Sequence, residues 1–189
     1  MIGCSDSLIA SLIEQGARID TFGVGTRLVT CYDQPALGGV YKLGAMRDAD
    51  GAWRDVIKLS EQPIKISNPG HLAVRRFRQA GALVADVIYD RAHGLTRPPA
   101  LHDLDDPTRT IAIDASDADD DLLSCAIERG ARVRTPDTLV EARARAAAEV
   151  AALSPRTRRF LNPQPYAVGL DTYVHEHKLA MIAAARSQK

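Results

Sequence analysis

The sequence predicts an α/β fold, and three observations predict it. A helix, a short strand and a glycine turn follow one another between Ser5 and Thr26. The middle of the chain is a run of short apolar segments punctuated at Asp50-Gly51, Asn68-Pro69-Gly70 and Ala80-Gly81. The C-terminal part is mainly helical in its apolar spacing.

The opening helix starts where Ser5 or Asp6 can accept a backbone N–H. Leu8, Ile9, Leu12 and Ile13 then share one face, and Gly16 stands where a left-handed cap ends the helix. Arg18 to Phe22 reads as a parallel strand running into Gly23-Val24-Gly25-Thr26, although the chain offers no strand before it to pair with. Gly38 to Arg47 and Trp53 to Leu59 read as two strands around Asp48-Ala49-Asp50-Gly51, since Asp-Gly accepts the positive φ that hairpins need. Leu72 to Arg78 and Leu83 to Tyr89 form a second pair, and Thr108 to Ile113 a further strand. Asp117 to Arg129, Asp137 to Leu153 and a terminal helix capped by Asp171 are the expected helices. The expected division is 1–37, the last helix, strand and glycine loop of a sheet or barrel; 38–113, a mainly antiparallel β segment; and 114–189, a helical segment.

The chain of 189 residues is long enough to bury a core, and 46% hydrophobic with 25% charged residues excludes global disorder. Lys plus Arg and Asp plus Glu both number 24, so the net charge is zero and the electrostatic footprint of a nucleic-acid binder is missing. Aromatic residues at 5% are too few for a base-stacking platform. Cys4, Cys31 and Cys125 lie far apart, which argues against a disulfide framework or a zinc site and for a reducing, cytoplasmic setting. No apolar run reaches the roughly 18 residues of a membrane span, no basic-then-apolar start resembles a signal peptide, and no internal repeat is visible.

Gly23-Val24-Gly25-Thr26 is the first place where residues suggest chemistry. Glycines let backbone N–H groups converge on an anion, and Thr26 adds a hydroxyl, so the turn has the makings of a phosphate nest. By itself Gly-x-Gly is more often a plain tight turn. The surroundings are more specific. Pro35-Ala36-Leu37-Gly38-Gly39-Val40-Tyr41-Lys42-Leu43, Lys58-Leu59-Ser60-Glu61 and Lys65-Ile66-Ser67-Asn68-Pro69-Gly70 follow in order. Ala85-Asp86-Val87-Ile88, Leu153-Ser154-Pro155, Arg158 to Pro163 and Pro165-Tyr166-Ala167-Val168 complete the series. This succession resembles the C-terminal part of nicotinate phosphoribosyltransferases over nearly the whole chain.

That resemblance implies the remnant of an incomplete α/β barrel followed by a β-rich segment and C-terminal helices. It implies a parent reaction joining nicotinate to phosphoribosyl pyrophosphate to give nicotinate mononucleotide and pyrophosphate, with ATP and Mg2+ and a phosphorylated histidine. Gly23, Val24, Gly25 and Thr26 would hold the ribosyl phosphate, and Ser5, in a Ser5-Asp6-Ser7-Leu8 stretch like the family's, would stand beside them. The family's catalytic histidine, base pocket and most barrel strands have no counterpart here. The chain is therefore expected to be inactive alone, to bind neither ATP nor Mg2+ tightly, and to need an N-terminal half or a homodimer partner. The alternative is a non-catalytic phosphate-binding module or one subunit of a split enzyme.

Other polar clusters have plainer readings. The five histidines are expected to be structural or exposed; His175 and His177, two apart on a helix, do not make a metal pair. The run Asp114 to Asp121 lacks the spacing of a calcium loop and reads as acidic capping of a helix N-terminus. Arg156, Arg158 and Arg159 read as a surface face at a helix end. Lys65 and Arg75 could form ion pairs or domain contacts, or could take the roles of a Lys and an Arg in a similar family stretch. Gly38-Gly39 reads as a close backbone approach or bulge before Lys42.

Overall fold

The computed structural model describes residues 6–36, 38–62, 65–106, 108–114, 119–159 and 161–187. It divides into one unit of Met1–Tyr41 with Arg159–Pro163 and a second of Lys42–Arg158 with Gln164–Lys189.

In the first unit, α1 spans Asp6–Glu14. It ends as expected at Gly16, whose φ of 78° is left-handed. The N–H of Gly16 bonds to Ile13 O at 2.9 Å and that of Ala17 to Leu12 O at 3.0 Å, a Schellman closure. Of the predicted apolar face, Ile9 and Leu12 are half-buried while Leu8 and Ile13 are exposed. Arg18 to Phe22 is not a strand. A strand needs a neighbour for its backbone groups, and among the described residues the segment pairs with no strand, Ile19 N bonding locally to Ala17 O. A short helix, α2 (Thr26–Val29), follows Gly25 directly. None of the described residues of this unit is buried.

The second unit holds the core. The short hairpin β1 (Ala45–Arg47) and β2 (Trp53–Asp55) pairs Met46 with Arg54. Both strands are shorter than expected, and Gly38-Gly39 has open space around it instead of a close approach. The tight glycine of this region is Gly44, where an added Cβ would lie 2.7 Å from Gly70 O.

The principal sheet is built on β3 (Leu72–Gln79) and β4 (Ala82–Asp90). Their two-residue connection places Ala80 at φ 48° and Gly81 at φ 80°, the geometry that matches the twist of a tight hairpin. The remaining strands are β5 (Ala100–Asp103), β6 (Thr110–Ala112), β7 (Asp119–Asp121) and β10 (Ala167–Leu170), in the order β6-β5-β10-β4-β3-β7. β10 runs parallel to β4 and antiparallel to β5, which makes the sheet mixed. It was not foreseen, because its four residues carry no alternation and its partners are distant in the chain.

The expected helix from Asp117 to Arg129 is absent from its described residues. Asp119–Asp121 instead forms an edge strand on β3, setting Asp121 opposite Arg75. Consecutive aspartates are poor helix formers, and the cross-strand pairing with an arginine-bearing strand offers them charge partners. Farther on, β8 (Ile127–Glu128) and β9 (Ala131–Arg132) make a small hairpin. Its turn residues, Arg129 and Gly130, have φ of 49° and 78°, so Gly130 serves a turn and not a helix end.

Phe77, Ala85, Val87, Leu101 and Ile113 form the core cluster, with Leu95, Ile111 and Ala167 against it. Three helices complete the unit: α3 (Leu139–Ala152), α4 (Pro155–Arg158) and α5 (Thr172–Ser187). Helix α3 begins with a capping box in which Thr138 and Glu141 satisfy each other's backbone N–H groups. α5 begins at Asp171, fully buried, whose carboxylate accepts from Tyr173 N at 3.0 Å and from Thr96 N and Oγ1 at 2.9 and 2.7 Å. The α/β class, the β-rich segment and the C-terminal helices are therefore all present.

Candidate functional site

Gly23, Gly25 and Thr26 are exposed and Val24 is half-buried, on the turn that enters α2. Gly25 O accepts from Leu28 N at 3.1 Å and Val29 N at 3.2 Å, and no side chain caps the helix start. A Cβ added at Gly23 or Gly25 would meet nothing within 4 Å, so the protein's own packing does not demand glycine at either position. The four residues stand together on one turn; Ser5, the fifth of the set, lies outside the described residues.

The second unit contains a cleft of about 520 Å3 between the β1–β2 hairpin, the end of β4 and α5. Its floor is Asp90, a buried carboxylate that accepts from His71 N at 2.8 Å, Ala92 N at 2.7 Å, His93 N at 3.2 Å and His93 Nδ1 at 3.3 Å. Burial opposes the charge, but these hydrogen bonds outweigh it and hold Asp90 below the usual carboxylate range. Gly70, at φ 103°, abuts the same carboxylate, and any side chain there would run into it. On the wall, His177 Nε2 donates to Asp55 Oδ2 at 2.9 Å, and the rings of Trp53 and His71 stack at 6.2 Å. The sequence signal for this floor was Asp90 two and three residues before N–H groups it can accept from, an Asx turn closing on Gly94.

The other polar side chains have partners in the second unit or stand at its surface. Arg75 Nε lies 3.2 Å from Asp121 Oδ1, an ion pair across β3 and β7, so the acidic run serves strand pairing where capping was expected. Tyr89 also donates to Asp121, at 2.8 Å. Lys65 offers its backbone O to Lys42 Nζ at 3.3 Å. Arg156 and Arg158 are exposed on α4. His175 and His177 engage different neighbours, His102 and Asp55. Among the described residues no group of three or more His, Cys, Asp or Glu side chains is placed to hold a metal ion, and no helix is long and apolar enough to cross a membrane.

This mixed sheet with helices packed on it defines an α/β domain. The profile of the nicotinate phosphoribosyltransferase C-terminal domain matches residues 71–178, and the chain belongs to that family. The nicotinate phosphoribosyltransferase of Bacillus subtilis is 56% identical over 68 residues, covering 36% of this chain and 14% of that protein. The human nicotinate phosphoribosyltransferase is 29% identical over 174 residues, 87% of this chain and 30% of its own length. Nicotinate phosphoribosyltransferase 2 of Arabidopsis thaliana is 29% identical over 185 residues, 91% of this chain and 31% of that protein. The crystal structure of human nicotinic acid phosphoribosyltransferase superposes with a TM-score of 0.54 at 19% identity, over 61% of this chain and 23% of that one, a likeness of fold. The chain thus spans between 14% and 31% of the length of these curated relatives.

Proposed function

We propose that the chain is the C-terminal part of a nicotinate phosphoribosyltransferase, the enzyme that salvages nicotinate for NAD synthesis in the cytoplasm. The observation that carries this reading is the family match over residues 71–178 of a chain that also carries Gly23-Val24-Gly25-Thr26 on an exposed turn. In this reading residues 1–37 are the end of the barrel, and Gly23 to Thr26, with Ser5, anchor the 5-phosphate of phosphoribosyl pyrophosphate. Backbone N–H groups and the Thr26 hydroxyl are suited to an anion, and open space at both glycines leaves room for a phosphate to approach the backbone. Fixing the phosphate orients the ribose, so that binding energy remote from the anomeric carbon aids the displacement of pyrophosphate by nicotinate.

ATP and Mg2+ would serve the complete enzyme, and this chain alone is expected to hold neither tightly. A subunit that complements a separate N-terminal half is the second reading, favoured by a second unit that buries Phe77, Val87 and Leu101 in a core of its own.

The test is steady-state formation of nicotinate mononucleotide by the complete enzyme carrying this segment, with Gly25→Val as the variant. A side chain at Gly25 has space in the protein but obstructs the phosphate. The expected result is a KM for phosphoribosyl pyrophosphate raised at least about tenfold, with the KM for nicotinate little changed. An unchanged KM for phosphoribosyl pyrophosphate would show the turn to be only a turn. The chain alone is expected to give no product, and turnover by it would overturn the reading of a partial enzyme.

A further inference from the structure

The chain has five histidines, all in the second unit; His71 stacks on Trp53 of β2, and the other four meet rings on the first half of α5. His93 stacks on Tyr173 at 3.7 Å, and Tyr173 in turn faces His177 at 5.6 Å. His102, from β5, stacks on His175, from α5, at 4.1 Å with their planes 12° apart. This half of the helix also carries Val174, which is 1% exposed and part of the core. Imidazoles thus join Val174, the Asp171–Thr96 bonds and the Lys178–Asn68 bond in attaching this half of the helix to the rest of the unit.

The three contacts differ in kind. His93 leans on Asp90 of β4 and His177 on Asp55 of β2, so each has a carboxylate to accept its proton-bearing nitrogen. Among the described residues no carboxylate hydrogen-bonds to His102 or His175. His102 Nε2 lies 3.1 Å from Thr172 Oγ1 and its Nδ1 3.2 Å from Thr110 Oγ1 of β6. Hydroxyls can donate to one nitrogen and accept from the other, which suits a neutral ring. His175 occupies the first turn of α5, where the helix dipole is positive and opposes an imidazolium. Burial first, then the His102 ring and Lys178, hold its pKa below the usual imidazole range, with Glu176 working the other way. Charging both rings of the stack would set two cations against each other at van der Waals distance.

We propose that the first half of α5 is a proton-sensitive latch, closed by the stack of His175 on His102 and released from β5 when His175 is protonated. The sign follows from linkage. A histidine whose pKa is depressed by folding takes up a proton on release, so the closed form holds fully above about pH 6.5 and weakens as pH falls below it. The latch is independent of the nicotinate reaction and stands or falls apart from it.

The test is amide hydrogen exchange of the whole chain at pH 7.5 and pH 5.5, corrected for the intrinsic pH dependence of exchange, with His175→Gln and His102→Gln as variants. Glutamine keeps a hydrogen-bonding side chain and does not titrate. In the unaltered chain, protection of amides 175–181 is expected to fall at least about fivefold at pH 5.5 relative to those of β4. In His175→Gln the ratio is expected to change less than about twofold, and in His102→Gln, where His175 still titrates without its stacking partner, by less than in the unaltered chain. Protection in α5 that follows β4 at both pH values would overturn the proposal. So would an acid-induced loss of equal size in both variants, which would place the titrating group elsewhere. Emission from Trp53, the single tryptophan, gives a second readout, since it lines the cleft with His177 and Met181 of α5. Its stacking on His71 adds a component that all variants share, so only the part lost in His175→Gln belongs to the latch.

Discussion

Arg76 and Asp86 face each other across β3 and β4 in a bidentate pair, Nε to Oδ1 at 2.8 Å and Nη2 to Oδ2 at 2.6 Å. The remaining guanidinium nitrogen, Nη1, donates to Glu149 of α3 at 2.7 Å, and Tyr166 donates to Asp86 at 3.0 Å. Asp86 pushes the Arg76 guanidinium above its usual range, against the effect of burial. Burial first, then the Asp86 carboxylate, raises the Tyr166 phenol. One arginine thus joins the sheet, α3 and the approach to β10.

Removing one member of this network should cost more than removing the pair. Asp86→Ala leaves a largely buried guanidinium with only Glu149, and a loss of about 3–5 kcal/mol is expected in urea unfolding. Arg76→Met with Asp86→Leu removes both charges and is expected to recover much of that loss. A double variant as unstable as Asp86→Ala would mean that the pair itself, and not the stranded charge, sets the stability.

Gly169 is the position of the sheet that admits no side chain. A Cβ there would collide with His102 O and the Leu101 side chain, because β10 is pressed between β4 and β5. Gly169→Ala is expected to destabilise by about 1–3 kcal/mol through overpacking. Gly23→Ala, in open space, should change stability by less than about 0.5 kcal/mol. Equal thermal midpoints for the two variants would contradict the close packing of β10.

Acid should unfold the second unit partly through Asp90. Its pKa is depressed in the folded state, so its contribution is fully present above the unfolded value near 3.9 and is lost as pH falls through the lower folded value. Asp90→Asn is expected to cost about 1–3 kcal/mol at neutral pH, since an amide cannot accept from His71, Ala92 and His93 alike. It should also flatten the fall in urea midpoint between pH 4 and about pH 2.5. An acid limb of the same slope in this variant would assign it to other carboxylates, such as Asp121.

Amides from Ile19 to Gly25 should exchange far faster than those of Val84 to Ile88. The former segment has no ladder partner, and the latter pairs on both sides, with β3 and β10. Comparable protection in the two would show that residues 18–22 are paired after all.

Where a feature depends on neighbours within a few residues, it was legible in the sequence. Gly16 ends α1 because the cap needs a left-handed residue two positions past the helix. The β3–β4 hairpin follows from the strand-forming runs on either side of Ala80-Gly81, α3 from its alanine-rich stretch, and α5 from its apolar stripe and the cap at Asp171. The glycine turn at Gly23 to Thr26 was legible as a motif, and its neighbours in order carried the family.

Tertiary pairing decided the rest. Arg18 to Phe22 has strand-forming residues, but backbone groups ladder only with a partner, and none is supplied to them. Asp119–Asp121 became an edge strand because β3 presents Arg75 across from Asp121, a relation between residues 46 apart in the chain. Insertion of β10 between β4 and β5 fixed the need for glycine at 169 and brought α5 over the sheet. His93, His102, His175 and His177 are scattered in sequence, and the helix that follows β10 gathered them through ring contacts. Local sequence sets the torsional preferences and caps of each element; which side chains meet across the sheet is set by long-range pairing, whose energy no short window of sequence contains.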